Sequence, residues 1–265
     1  MRGSLFSFAL AAVLSAGIVF GLSGAEADAR LRNLASDQGL VLRGTEVAKC
    51  DRSRTSVVIP SGVTRIAPGA FNGCSNLVSV AIPEGVTEIS DKAFGGCKML
   101  TEVTIPASVT EIGKEAFRNC ERLKSINIPA SVTEIGKEAF RGCEYLASVN
   151  IPAGVTVISD GSFYKCTRLT EVTIANGPTE IGGEAFYDCE RLAAITIPPS
   201  VKIIGEKAFR YCRRLTAVEL PDGVIRVGKA AFADCTSLSL VSASTNTFIA
   251  PDAFKDSPSV QIRRR

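Results

Sequence analysis

The chain of 265 residues contains no histidine and no tryptophan. Without imidazole it has no ordinary side-chain base near neutral pH, no usual activator for a serine or cysteine nucleophile, and none of the commonest zinc ligand. Most hydrolytic and zinc-dependent chemistries are thereby removed. Charge of one sign is also scarce in excess, since 30 Lys and Arg against 27 Asp and Glu leave a formal net charge of +3. Such a balance does not point to a nucleic-acid partner without a concentrated basic patch, and the single basic run is Arg263-Arg264-Arg265. No C-x-x-C pair is present to nucleate a metal site. Nowhere does the sequence set a nucleophile beside a base, so it supports neither an enzyme nor a cofactor.

One segment departs from the rest in composition. Met1-Arg2 gives a positive start, Leu5 to Leu22 is uncharged and apolar, and Ala27-Asp28-Ala29 fits a small-x-small cleavage site. Residues 1–29 therefore read as a signal peptide. The competing reading is an uncleaved anchor, because 18 uncharged residues lie at the lower limit for spanning a bilayer. Ser7, Ser15, Gly17 and Gly21 weaken the run as an anchor. The mature chain is then expected to have no stable membrane insertion, and to reside in the periplasm or on the outer cell surface.

What the chain has in abundance is repetition. The fourteen residues IPASVTEIGKEAFR start at Ile105 and again at Ile128, an offset of 23. On that ruler phenylalanine falls at Phe71, Phe94, Phe117, Phe140, Phe163, Phe186, Phe209 and Phe232, with a cysteine three residues after each, from Cys74 to Cys235. A period in the range of roughly 20–50 residues marks a solenoid, whose units bury their apolar faces only by stacking. Within a unit, Val103 and Ile105 alternate with Thr104 as in a half-buried strand. Proline at 106 and its equivalents marks the strand end, because proline cannot donate to a ladder; at 175 alanine stands instead. The following run, Val109-x-x-Ile112-x-x-x-Ala116-Phe117-x-x-Cys120, has spacings of three and four that predict a helical turn or two. Successive strands should be parallel, in register and about 4.8 Å apart. Residues 30–56 read as an N-terminal cap, 57–243 as the solenoid, and 244–265 as a C-terminal cap with a basic tail.

The pattern L-x-x-V-x-I-P-x-x-V-x-x-I-x-x-x-A-F-x-x-C, complete from Leu100 to Cys120 and from Leu123 to Cys143, resembles the bacterial leucine-rich repeat of the BspA-like, treponeme-type class. The resemblance covers about residues 57–262. It implies an α/β fold, a leucine-rich-repeat solenoid with a parallel β-sheet on the concave side and short helices on the convex side. It further implies an exported or surface-associated protein engaged in protein–protein recognition or adhesion to a host or bacterial surface component. The family lends no shared active site.

Three constellations carry the functional reading. The cysteine column admits a disulfide framework, a metal-thiolate array or a row of buried thiols. Its apolar setting between Phe117 and Leu123 favours thiols that behave as small hydrophobes. Cys50, in the cap, is the one positioned to pair with Cys74 or stay free. On the strands, the outward positions include Glu102, Thr104, Asn127, Asn150, Glu171, Thr173 and Thr196, small and mostly uncharged. They offer hydrogen bonds to a protein ligand such as a host matrix or bacterial surface protein, although a flat wet sheet tolerates such residues without any ligand. The third is a ribbon on the outer turns, Arg122, Tyr145, Arg168, Arg191 and Arg214, of residue types that recognition surfaces favour. It suits an anionic partner such as a sulfated glycan, or reads as a solvated exterior partly neutralised by neighbouring acids. A structural role, with the solenoid pairing into a homo-oligomer, is the alternative to a binding module.

Overall fold

The structure, a computed structural model, describes residues 23–265. The apolar N-terminal run lies outside the described residues, and only the last part of segment 1–29 is seen. That part enters helix α1 (Gly24–Asp37), so Ala27-Asp28-Ala29 is helical. A capping box starts α1: the Glu26 amide donates to Ser23 Oγ at 3.4 Å, and the Ser23 amide donates to the Glu26 carboxylate at 2.8 Å. Two orphan donors are satisfied at once. Ala35 is buried and Leu31 packs against the core, which seats α1 over the first coil.

The chain continues as an antiparallel hairpin, β1 (Leu40–Arg43) with β2 (Glu46–Cys50), turning at Gly44-Thr45. Among the described residues this is the one antiparallel pair. Strand β2 pairs parallel with Arg65–Ile66, Val47 opposite Ile66, and so joins the hairpin to the first coil. The free edge of β3 (Ser56–Val58) is closed by Gln38, whose side-chain carbonyl accepts the Val58 amide at 2.9 Å. A sheet edge left open is a template for unwanted pairing, and here a side chain blunts it.

From there each coil adds one strand to a parallel column. Ser79–Ala81, Glu102–Thr104, Ser125–Asn127, Ser148–Ile151 and Glu171–Ile174 follow β3 in register. Pairing lapses at residues 193–198 and resumes with Ala217–Glu219, Leu240–Ala243 and Gln261–Arg264. A second column of two-residue strands, from Arg65–Ile66 through Glu111–Ile112 to Phe248–Ile249, lies after each proline turn. The proline carbonyl opens that turn by accepting an amide three residues on, as in Val109 to Pro106 at 3.1 Å. Where alanine replaces proline, the Ala175 amide donates to Ile151 O at 3.0 Å, a bond proline could not make.

The short helices expected outside are not what the described repeats contain. Residues 113–120 form turns in which alternate amides leave the coil. Glu115, Phe117 and Asn119 donate to Lys137, Ala139 and Arg141 of the next coil at 2.9, 2.7 and 2.7 Å, while Ala116, Arg118 and Cys120 donate back three residues. A helix would keep every amide within its own ladder. Glu115 and Asn119 adopt left-handed φ of 55° and 57°, which bends the chain after each outward bond. The outer wall is thus itself a ladder between coils. Glycine permits the close approach, since a Cβ at Gly136 would stand 2.5 Å from the Lys114 backbone nitrogen.

The interior is columnar. Nine phenylalanines, Phe71 to Phe254, stack face to face with centroids 4.7–5.5 Å apart and planes within 20°. Valine, isoleucine and leucine columns fill the space between them and the strands, and the rings from Phe71 to Phe232 are fully buried. Packing is therefore repeated coil by coil, as a solenoid requires. The terminal arginines are not a loose tail. Arg264 donates to Ser244 O at 2.8 Å and Thr247 O at 3.0 Å, and Arg265 pairs with Glu219 at 2.7 Å.

Candidate functional site

All nine cysteines are free and buried. Each thiol from Cys97 to Cys235 donates to the phenylalanine carbonyl of the preceding coil, at 3.2 Å for Cys97 to Phe71 O and 3.3 Å for Cys143 to Phe117 O. The same bond recurs at Cys120, Cys166, Cys189, Cys212 and Cys235. Sequence reasoning missed this. The position is a buried donor site as well as a hydrophobic one, and Ser257 was the available signal. Its hydroxyl donates to Phe232 O at 2.9 Å and accepts the Cys235 amide at 3.0 Å. The polar replacement keeps the column's hydrogen bond. Burial pushes the Cys143, Cys166, Cys189 and Cys212 thiols far up, and Cys235 to about 12. They stay protonated and so lack the thiolate that nucleophilic or metal chemistry needs. Cys50 and Cys74 are unlinked; the Cys50 thiol donates to Asp51 O at 3.4 Å, and the neighbouring Cys74 thiol, followed by burial, raises the Cys50 pKa.

The strand residues lie where the alternation predicts. Glu102, Thr104, Asn127, Asn150, Glu171 and Thr173 are exposed on their strands, with Val103, Ile126, Val149 and Val172 between them buried; Thr196 is exposed beside the buried Ile195, but it lies in the stretch 193–198 where strand pairing lapses. Register sets Ser125 against Ser148 and Glu171 against Ser148, and Asn150 against Thr173. A shallow depression on this face is lined by Ser125, Asn127, Ser148, Asn150, Glu171 and Thr173. It gathers four of the seven predicted residues, and Glu102, Thr104 and Thr196 lie outside its lining. Parallel pairing on a buried hydrophobic column fixes these side chains on a rigid floor.

The outer ribbon resolves into two columns with different electrostatics. Arg118 lies 2.9 Å from Glu115 and 3.3 Å from Glu138, Arg141 is 3.1 Å from Glu138, and Arg210 is 2.9 Å from Asp234. Burial pushes the Glu115 carboxyl up, but Arg118, Lys92 and Lys114 outweigh it and hold it below its ordinary value. In the column of Arg122, Tyr145, Arg168, Arg191 and Arg214, the Arg168 guanidinium lies 3.7 Å above the Tyr145 ring. Nearby, Tyr164 and Tyr187 stack at 4.6 Å with Arg141 over Tyr164 at 4.1 Å, and Arg210 and Arg213 flank the Tyr211 ring at 4.7 and 5.5 Å. All four tyrosines of the chain sit on this wall.

The BspA type leucine rich repeat region matches residues 47–167 and 133–261, in 6 copies. Among solved structures, the Treponema pallidum leucine rich repeat protein is 32% identical over 56% of this chain and 82% of its own, with a TM-score of 0.45. A leucine-rich repeat protein from Bacteroides ovatus is 22% identical, covering 86% of this chain and 90% of its own, at a TM-score of 0.42. A leucine rich cell surface protein from Faecalibacterium prausnitzii is 25% identical, covering 85% and 86%, also at 0.42. No curated protein matches the chain. Among the described residues no helix is long and apolar enough to cross a membrane.

Proposed function

The chain belongs to the BspA-type leucine-rich repeat proteins, and from that premise we propose that it is an exported binding module that recognises a protein ligand through its long-strand face. Leucine-rich repeats serve generally as protein-interaction scaffolds, and the particular reading here rests on one observation. The depression lined by Ser125, Asn127, Ser148, Asn150, Glu171 and Thr173 presents hydroxyl, amide and carboxylate groups at fixed spacing on a rigid sheet. Side chains this short let another backbone approach closely, and groups already held in place cost little further ordering on binding. The partner class is a host matrix protein or a bacterial surface protein, with residues 1–29 removed on export to the periplasm or outer surface.

The test is an immobilised panel of matrix and bacterial surface proteins. Asn127→Arg combined with Asn150→Arg fills the depression with bulk and charge and should weaken binding at least tenfold, about 1.4 kcal/mol, without lowering the melting temperature. Undiminished binding by this variant rules out the strand face. Mass in solution discriminates the alternative, because a stable oligomer that protects this face from the panel means self-assembly. Sequencing the N-terminus of exported material checks whether the chain starts at Arg30.

A further inference from the structure

Two columns of arginine and tyrosine run side by side along the outer wall, and the structure separates them. Arg118, Arg141 and Arg210 are each held by carboxylates at 2.9–3.1 Å. Among the described residues no salt bridge involves Arg122, Arg168, Arg191 or Arg214, and all four are exposed. We propose that Arg122, Arg168, Arg191 and Arg214 form a docking strip for a linear anionic polysaccharide, with the sulfate or carboxylate groups of successive sugar rings meeting the three successive coils of Arg168, Arg191 and Arg214, and Arg122 lying two coils before Arg168 across Tyr145. The strip lies on a different wall from the strand face and does not depend on what binds there.

Geometry supports this class of partner. A guanidinium stacked on an aromatic ring keeps its N–H edge free for two-pronged contact with an oxyanion. Arg168 over Tyr145 at 3.7 Å is in that state. Stacking also places it before any ligand arrives, so less side-chain freedom is lost on binding. Neighbouring acids are present: Glu121 is already paired with Lys98 at 2.9 Å, while Glu144, Glu190 and Asp188 stand close by in the chain. Their charge prevents a broad positive field, so recognition must come from discrete guanidinium–oxyanion contacts. Beside this wall successive coils stand about 5 Å apart, with Tyr164 and Tyr187 at 4.6 Å and the phenylalanines behind them at 5.3 Å between Phe163 and Phe186. An extended acidic peptide shows same-side carboxylates only about every 6.6 Å and loses register within two contacts. Duplex DNA spaces the phosphates of one strand about 3.4 Å apart along its axis, short of the coil step. A polysaccharide with one acidic group per ring repeats its charge close to the coil step.

The experiment measures binding of the full chain to heparin and dextran sulfate, with uncharged dextran, polyglutamate and duplex DNA as comparators, at low and physiological salt. Both sulfated polymers should bind, more weakly at the higher salt. The triple variant Arg168→Gln, Arg191→Gln and Arg214→Gln should lose about tenfold in affinity, the sum of three exposed charge contacts of ordinary strength. Arg168→Lys, which retains charge without the planar fork, should lose part of it, and Arg118→Gln should lose none. Unchanged binding by the triple variant, an equal loss in Arg118→Gln, or equally tight binding of polyglutamate, DNA or plain dextran would each overturn the proposal. The strand-face variant Asn127→Arg with Asn150→Arg should still bind heparin, which separates failure of this strip from failure of that face.

Discussion

Phe117 and Arg118 are adjacent on one turn and belong to columns that behave in opposite ways. Inward, the column is phenylalanine from coil to coil, stacked at nearly constant spacing and fully buried. Outward, it reads Arg118, Arg141, Tyr164, Tyr187 and Arg210. An interior column has one solution, because each ring packs on a copy of itself and any change of volume is felt on both sides. An exterior column has many solutions, because solvent accepts them all. In a solenoid the positions with freedom are therefore where specificity is written, and those without it write only the fold.

The sharpest way to break that contrast is to truncate neighbours on one turn. Phe140→Ala removes a ring from the middle of the stack, with Phe117 and Phe163 at 5.3 and 5.4 Å, and should cost about 3–5 kcal/mol. Arg141→Ala, one residue on, gives up a partly exposed ion pair with Glu138 and should cost well under about 1 kcal/mol. Thermal or denaturant unfolding measures both. Comparable losses would mean that the outer wall is as structurally constrained as the core.

Much of this was readable from residue spacing, and the exceptions have physical causes. The 23-residue ruler located every core column, because burial demands the same residue at the same phase. The wet strand positions followed from alternation. A helical turn or two was expected over 109–120 because spacings of three and four suit a helix; they suit a short strand at Glu111–Ile112 followed by a chain of turns equally well. What separates the two is where the amides of Glu115, Phe117 and Asn119 donate, and spacing does not encode that. The β1–β2 hairpin had a signal in Gly44-Thr45 between two apolar runs, hidden by its departure from the ruler. The division of the arginine columns into paired and unpaired depends on reach between coils, which only coordinates supply. The strand-face residues were placed by alternation, while their gathering into one depression depends on side-chain size across three coils.

A middle-sized effect tests whether the cysteine column is only hydrophobic. Cys143 donates to Phe117 O at 3.3 Å, and Ser257 shows that a hydroxyl can occupy this column with the same bond retained. Cys143→Ser, which keeps the donor and loses only part of the buried sulfur's volume, should therefore cost about 1 kcal/mol, the order of one buried methylene. Cys143→Ala, which leaves a gap and no donor, should cost more. The reverse order would show that burial of sulfur outweighs the bond. Cys143, Cys166, Cys189 and Cys212 should also resist thiol alkylation at pH 8 in the native chain and react once it is unfolded, since burial keeps them protonated.

The smallest effect lies on the short-strand column, where Glu88, Glu111 and Glu134 stand in register. Burial, followed by Glu88 and Glu134, raises the Glu111 pKa. Arg65 outweighs burial at Glu88 and lowers its pKa. An acid whose pKa is higher in the folded state binds its proton more tightly there, so stability falls as pH rises through that range and stays lower above it. Glu111→Gln should thus stabilise the protein at pH 7 by a few tenths of a kcal/mol, given solvent screening of an exposed group. The gain should vanish below the ordinary carboxylate range, where Glu111 is protonated folded or unfolded. Glu88→Gln should do the opposite at pH 7, because it removes a carboxylate held by Arg65 at 2.7 Å, and its cost should also fade in acid. Melting temperatures of both variants across pH 3 to 8 decide the matter, and a gain for Glu111→Gln that persists in acid would assign it to packing instead of charge.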